Sequence, residues 1–148
     1  MAPISTWKVD EAEFPHLDAA QCASLLTTGN GTLCTRGTPA EQRFGASRGT
    51  YHTGLYTLAP GGIPYLLCTP DWTPAWVSVA GALPNVSESR RVLDMEKGVL
   101  RRSAILEAGE FRLRIEEERF ASFVKPNLVC QRMQLFFEHG TAKCEVSM

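Results

Sequence analysis

The sequence has no excess of charge of either sign. Its 15 basic and 16 acidic residues leave a formal net charge of −1 over 148 residues. Because a nucleic-acid-binding surface must be basic to release counterions, we expect no nucleic-acid partner. With 44% hydrophobic residues, the chain is also too apolar and too weakly charged to be disordered. Its length fits a single domain over residues 1–148.

Long apolar runs are also missing. No segment approaches the roughly 20 apolar residues of a membrane span, and residues 1–8 lack the apolar region of a signal peptide. We therefore expect no membrane partner and a cytoplasmic location. The five cysteines are odd in number and contain no Cys-x-x-Cys pair, so we interpret them as reduced, mostly buried side chains.

Motifs for metal or nucleophilic chemistry are absent from the sequence. His16, His52 and His139 lie far apart and lack metal-ligand spacing, and there is no Gly-x-Ser-x-Gly. The run 29–31, Gly-Asn-Gly, has no following Gly-Lys-Ser/Thr, so it predicts a turn rather than a phosphate loop. No cofactor is expected.

What the sequence does contain is a series of short strand-like segments. The predicted strands are 51–57, 64–69, 75–80, 99–106, 110–123 and 127–138. One short helix is predicted over 19–26, with Asp18 as its N-cap and Gly29 beyond its end. Ala108-Gly109 is typical of a hairpin turn. This spacing indicates a mainly β fold, an antiparallel β-sandwich or barrel.

The clearest strand, 110–123, carries a charge on its apolar side. Phe111, Leu113 and Ile115 alternate with polar residues, which places one face on a core. Glu117 continues that apolar face. A buried carboxylate must be paired, so we expect Glu117 to pair with Arg119 or Arg102, or to mark the end of the regular strand.

Acidic residues leave open the possibility of a small glycosidase. Glycoside hydrolysis needs two carboxylates at a fixed separation. Asp71, Asp94, Glu96 and the run 116–118 supply enough acids for such a pair. Clustered acids are more often ion-paired or solvated, and we favour that interpretation.

A group of aromatic residues suggests a carbohydrate-binding site. Trp72 and Trp76 lie four positions apart, and Tyr51 and His52 are the other candidates for its lining. Asp71 is the candidate acceptor for sugar hydroxyls. The alternative is that the two indole rings pack in the core or at an interface, as large aromatics commonly do.

Five segments, taken in order, resemble the N-terminal domain of glycoside hydrolase family 65, a family of disaccharide phosphorylases and hydrolases. The segments are 29–37 with Glu41, 49–56, 69–72, 91–102 and 118–123. The resemblance covers most of the chain. Cys34 and Cys68 depart from it, since the family commonly has Gly and Asn at those places.

The resemblance implies a supersandwich-like β-sandwich, or only the first portion of one, that precedes a catalytic barrel. No catalytic residue carries over, because the barrel supplies them in the family. The implied role is noncatalytic structural support or oligomer contact, with a homodimer or a separate catalytic domain as partner. The structural motif residues are Gly29, Asn30, Gly31, Arg36, Gly37, Asp94 and Arg119.

Several motif residues also predict local structure from their chemistry. Charged residues near loops between sheets favour buried or half-buried ion pairs, and we expect these at Arg36, Asp71, Asp94 and Arg119. Glycines between packed strands are typical of turns and bulges, and we expect these at Gly37, Gly49 and Gly54.

Overall fold

The computed structural model describes residues 7–41 and 48–147. They form antiparallel sheets with one α-helix, α1 (Ala19–Leu25), and a short 3₁₀ turn at Glu11–Glu13. The strands are β1 (Lys8–Asp10), β2 (Thr28–Gly29), β3 (Leu33–Thr35), β4 (Thr50–Leu58), β5 (Pro64–Thr69), β6 (Trp76–Val79), β7 (Asn85–Asp94), β8 (Val99–Ala108), β9 (Phe111–Ala121), β10 (Val129–His139) and β11 (Cys144–Ser147). The predicted mainly β class with one short helix is confirmed. No helix in the described residues is long and apolar enough to cross a membrane.

The strands form three sheets. The largest has the order β1-β7-β8-β9-β10, the second has the order β2-β3-β4-β5, and β6 pairs with β11. All neighbours are antiparallel, and β7 to β10 follow one another as hairpins. The β8–β9 turn contains Gly109 at φ +61°, so the predicted hairpin turn is confirmed.

The apolar core lies between the large sheet and the β6–β11 pair. Val77 and Val79 of β6 pack against Leu106, Leu113 and Ile115, and all five side chains are buried. The chain is therefore a β-sandwich, with two strands packed over the middle of a five-stranded layer. A second, smaller core joins α1 to the other end of β7 and β8; its buried members are Leu26, Leu93 and Leu100.

The helix begins where its sequence predicts. Asp18 accepts a hydrogen bond of 2.8 Å from the Gln21 amide, and the Gln21 side chain accepts one of 2.9 Å from the Asp18 amide. This reciprocal capping box satisfies two backbone donors at the helix start. The helix ends at Leu25, and Gly29 lies beyond it in β2.

One long strand was not predicted. The first six residues of β7 are all exposed, and they are mostly Ser, Glu and Arg, so no period-two apolar pattern marks them. The pairing of β7 with β8 supplies the order that its own sequence does not indicate.

Candidate functional site

Four charged side chains lie together on the core face of the large sheet. Arg91 is directly opposite Arg102, Arg102 is opposite Glu117, and Arg119 follows Glu117 on the same face of β9. Each of the four residues is at most 7% exposed. We call Arg91, Arg102, Glu117 and Arg119 the buried charge cluster.

Glu117 is the centre of this cluster. Its Oε1 accepts from Arg119 Nε and, at 3.2 Å, from Gln131 Nε2. Its Oε2 lies 3.5 Å from Arg102 Nη1. Glu117 therefore pairs with both arginines that the strand pattern predicted as its alternative partners. Three donors offset the cost of removing this carboxylate from water.

An irregular segment, residues 37–41, covers the cluster; we call it the strap. Arg91 Nη1 donates to the Gly37 carbonyl at 2.6 Å, and Arg119 Nη1 donates to the Thr38 carbonyl at 2.6 Å. Arg102 Nη1 donates to Glu41 Oε2 at 2.9 Å. The arginines thus satisfy backbone carbonyls that no β-ladder reaches.

Each arginine of the cluster has its own carboxylate. Arg91 Nη2 forms a salt bridge of 2.5 Å with Glu11 Oε2, and Arg102 forms one with Glu41. Glu117 receives Arg119. Burial lowers the pKa of Arg119, and the Glu117 charge opposes that effect. Guanidinium groups nevertheless stay protonated, so the cluster is a set of matched ion pairs.

This arrangement suits structure better than acid–base chemistry. Glu117 is 3% exposed, and its oxygens already accept hydrogen bonds.

Two carboxyls outside the cluster have shifted pKa values. The pKa of Asp10 is lowered mainly by its hydrogen bond from Arg90, and the pKa of Asp94 is also lowered. A general acid needs a raised pKa, so these two carboxyls are shifted in the opposite direction.

Asp94 closes the β7–β8 hairpin. It accepts from the Lys97 amide at 3.1 Å and from Arg101 Nη1 at 3.2 Å, and it is 3% exposed. Burial acts to raise its pKa, but the Lys97 amide and the nearby positive charges outweigh this effect. The predicted ion pairs of Asp94 and Arg119 are both confirmed.

The expectation of an ion pair at Arg36 was wrong. Arg36 Nη2 donates to the Ala20 carbonyl at 2.7 Å and to Ser24 Oγ at 2.6 Å, both on α1. None of the described carboxylates forms a salt bridge with it. Arg36 directly follows β3 and lies beside α1, so the acceptors within its reach are a backbone carbonyl and a hydroxyl of that helix.

The Gly-Asn-Gly run forms the β2–β3 turn. Asn30 Oδ1 accepts from the Thr32 and Leu33 amides, and its Nδ2 donates to the carbonyls of Ser122 at 2.7 Å and Pro126 at 2.9 Å. This side chain therefore ties the turn to the loop after β9, although the two lie about 90 residues apart.

Glycine is needed at these positions for two different reasons. A Cβ on Gly37 would lie 2.6 Å from the Leu26 carbonyl oxygen, so only glycine lets the strap approach α1 this closely. Gly31 and Gly54 instead have positive φ, +87° and +81°. Gly54 lies at the register shift between Tyr51 and Tyr56, where a bulge was expected.

The residues suggested for carbohydrate binding lie in different surroundings. Trp76 lines a cavity of about 540 Å³ beside the cluster. Trp72 does not line it, and its indole N–H donates to Thr35 Oγ1 at 2.9 Å. Tyr51 and His52 are consecutive on β4, so their side chains leave opposite faces of the sheet.

Asp71, the suggested hydroxyl acceptor, is already bonded within the chain. It pairs with Arg48 at 3.2 Å and accepts from the amide and hydroxyl of Thr73 at 3.0 and 2.8 Å. The half-buried ion pair expected at Asp71 is therefore confirmed.

The cavity at Trp76 combines an apolar wall with a polar end. Its apolar lining includes Leu83, Val86 and Met133. At the polar end lie Ser89 and the Glu41–Arg102 pair of the strap and cluster. Among the described residues, no group of three His, Cys, Asp or Glu side chains is placed to hold a metal ion.

All five cysteines lie in the described residues, and all are free thiols. Cys22 is buried, Cys68 is exposed, and the other three are intermediate. The expectation that the thiols are mostly buried is therefore met at Cys22 alone.

Sequence reasoning missed the strap and its contacts with Arg91 and Arg102. The available signal was Arg91 itself, which alternates with the buried Leu93 and so falls on the inward face of β7. Its partner Glu11 is 80 positions away, and no local pattern connects the two.

Known proteins are similar to this chain. Kojibiose phosphorylases of Caldanaerobacter subterraneus subsp. tengcongensis and of Thermoanaerobacter brockii are each 27% identical over 122 residues, which cover 78% of this chain. The match takes up 16% of each relative, so the chain spans about one sixth of their length. A solved structure provisionally named a kojibiose phosphorylase, from human microbiome, matches with a TM-score of 0.71 at 16% identity, over 79% of this chain and 18% of that one.

The match to a family model covers more of the chain than the matches to individual proteins do. Residues 9–148 match the model described as glycosyl hydrolase family 65, N-terminal domain. This range includes all the segments on which the resemblance rested, the strap and the buried charge cluster. The chain therefore belongs to the N-terminal domain family of glycosyl hydrolase family 65.

Proposed function

We propose that the chain is a noncatalytic β-sandwich module that supports a catalytic body, supplied by a further domain or a separate chain. The observation that carries this proposal is the burial of Glu117. The residue is 3% exposed, and its carboxylate is paired with Arg102, Arg119 and Gln131. Its charge is used to pair with Arg102 and Arg119, the two arginines that bond to the strap, rather than to bind a substrate. We also propose a cytoplasmic location, which the free thiols favour.

The names of the similar proteins suggest the reaction that the module serves. Both curated relatives are kojibiose phosphorylases, and the chain spans 16% of each. We propose that the supported activity is phosphorolysis of a disaccharide. The groups that perform it belong to the catalytic body, because the described carboxylates of the cluster and strap are ion-paired.

An assay of the isolated chain tests the noncatalytic role. The chain is incubated with kojibiose, maltose or trehalose, with and without phosphate, and glucose 1-phosphate and free glucose are measured. No turnover is expected. Turnover that is lost in Glu116→Gln or Glu118→Gln, with the fold intact by circular dichroism, would show a small enzyme instead.

A carbohydrate-binding role is the second candidate, and the cavity at Trp76 favours it. An indole face beside polar groups is a common way to hold a sugar ring. Tryptophan fluorescence is followed during titration with kojibiose, maltose, trehalose and glucose. Binding predicts a saturable change that Trp76→Ala abolishes and Trp72→Ala retains, because Trp72 lies outside the cavity. A signal that ignores all four sugars contradicts the role.

A further inference from the structure

The outer face of the large sheet carries a polar groove. Its side chains alternate with the buried ones along each strand, so this face points away from the apolar core. The groove has a volume of about 670 Å³, which exceeds that of the cavity at Trp76. Val92 is the only apolar residue among the described residues that line it. We call this hollow, with Val92 and Ser103 at its floor, the outer groove.

The sequence explains why this face is hollow. Ser103 lies near the middle of β8, directly between Arg90 of β7 and Glu116 of β9. Its side chain is short and those of its neighbours are long, so Ser103 forms a low point between them. Val92 lies two residues from Arg90 on the same face of β7 and extends the low point.

Polar groups at the outer groove are free to bind a ligand. Ser103, Glu116 and Gln134 lie opposite one another on β8, β9 and β10. Among the described residues, no hydrogen bond reaches the Ser103 hydroxyl or the Gln134 side-chain amide. Glu116 Oε1 accepts from Arg114, and Oε2 has no partner in the described part of the chain. A hydroxyl, a carboxylate oxygen and an amide therefore follow one another at the strand spacing of about 4.8 Å.

The charges of the outer groove nearly cancel. Its lining includes five Lys or Arg and six Asp or Glu residues. Many of these residues pair with one another across the strands, as in Arg90–Asp10, Arg101–Glu118 and Arg132–Glu118. A polyanion or a polycation would meet repulsion from about half of these charges, whereas a neutral ligand would not.

A protein partner fits this groove less well than a small polar ligand. β7, β8 and β9 are each paired on both sides, so their backbone groups are not available to an added strand. The centre of a protein interface is also depleted of charge and rich in aromatic side chains. The lining of the outer groove has the opposite composition.

We propose that the outer groove binds a neutral oligosaccharide, whose hydroxyls contact Ser103, Glu116 and Gln134. Sugar hydroxyls both donate and accept hydrogen bonds, as do the hydroxyl of serine and the amide of glutamine. The row from β7 to β10 covers three strand spacings, about 14 Å, which is longer than one sugar ring. The ligand is therefore a chain of several rings.

This site is separate from the cavity at Trp76 and goes beyond the proposed module role. The cavity is lined by Leu106 and Ile115, which point to the core side of the same sheet. Ser103 and Glu116 precede and follow residues of that inward set, so they lie on the opposite face. The sheet therefore stands between the two sites.

Nuclear magnetic resonance of the whole ¹⁵N-labelled chain tests the proposal. Amide signals are followed during titration with maltohexaose, a neutral glucan, at millimolar concentrations. Saturable shifts are expected at the side-chain amide of Gln134 and at the backbone amides of 101–103 and 116–118. The affinity should change little when NaCl is added, because salt screens charges and the ligand has none.

A matched pair of variants locates the site. Ser103→Gln fills the floor of the outer groove and should weaken binding by about tenfold or more. Ser87→Gln makes the same change at an exposed residue of β7 outside the groove and should leave the affinity unchanged. Circular dichroism checks that both variants keep the fold.

Three results would overturn the proposal. They are the absence of saturable shifts, equal affinities of the two glutamine variants, and shifts confined to residues that line the cavity at Trp76. Trp76→Ala should leave binding at the outer groove intact. The two sugar sites, and the noncatalytic role itself, are therefore tested separately.

Discussion

Arg119 and Thr38 lie 81 positions apart, and Arg119 Nη1 donates a 2.6 Å hydrogen bond to the Thr38 carbonyl. With the bond from Arg91 to Gly37, this contact fixes the strap to the large sheet through side chains rather than through a strand ladder. The buried charge cluster therefore has a structural role that an apolar core cannot fill. Backbone carbonyls in an irregular buried segment need donors, and arginine supplies them.

Replacement of Arg119 should be costly. Arg119→Met keeps most of the side-chain volume but leaves Glu117 with one fewer donor and the Thr38 carbonyl without this one. Breaking a buried ion pair from one side costs about 3–5 kcal/mol in the free energy of unfolding. Urea denaturation followed by circular dichroism measures the loss.

Arg114→Met is the matched control for that experiment. Arg114 lies on the outer face of the same strand, where its side chain is 36% exposed and pairs with Glu116. An exposed pair of this kind is worth at most about 1 kcal/mol. Equal losses at the two positions would show that the cluster has no special role.

The contacts of this cluster show what the sequence can reveal. The inward position of Glu117 follows from the period-two pattern of β9, because the side-chain period of a strand is two. Its pairing with Arg102 and Arg119 then follows from the cost of an isolated buried charge. These steps use residues of one hairpin, so local reasoning was sufficient.

Other parts of the site depend on contacts between distant segments. The strap meets the sheet through pairs 54 to 81 positions apart, and no local pattern encodes such contacts. The same limit explains the error at Arg36, since its hydrogen-bond partners on α1 are set by how α1 packs beside β3. Trp76 lies in a different sheet from Tyr51 and His52, and no local pattern indicates that separation.

The lowered pKa of Asp94 predicts a pH dependence. A carboxyl whose folded pKa lies below its unfolded value, about 3.9, stabilises the fold above that value. The contribution is lost as the pH falls through the folded pKa. Asp94→Asn should therefore be less stable than the unmodified chain near neutral pH, and the difference should shrink below about pH 4.

Melting temperatures from pH 7 down to pH 3 measure this difference. Glu96→Gln, at an exposed position two residues away, controls for the loss of one negative charge. A stability gap between Asp94→Asn and the unmodified chain that stays constant over the whole range would contradict the assignment.

Asn30 should stabilise the fold through the hydrogen bonds that its side-chain Nδ2 donates. Asn30→Asp keeps the acceptor for the Thr32 and Leu33 amides but removes the donor to Ser122 and Pro126, and it places a carboxylate against their carbonyls. We expect a loss of about 1–3 kcal/mol in the free energy of unfolding. Asn85→Asp makes the same chemical change at an exposed residue of β7 and should have little effect. Similar losses in both variants would contradict a stabilising role for the bonds between Asn30 and the loop after β9.

The cysteines should differ in reactivity by position. Burial raises the pKa of the thiols of Cys34 and Cys144, so a smaller fraction of each is thiolate at pH 8. Cys68 is exposed on β5. Iodoacetamide reacts with the thiolate, so peptide mass spectrometry should show Cys68 modified first and Cys34 and Cys144 later. Modification of Cys34 as fast as Cys68 would mean that β3 does not shield its thiol as the structure shows.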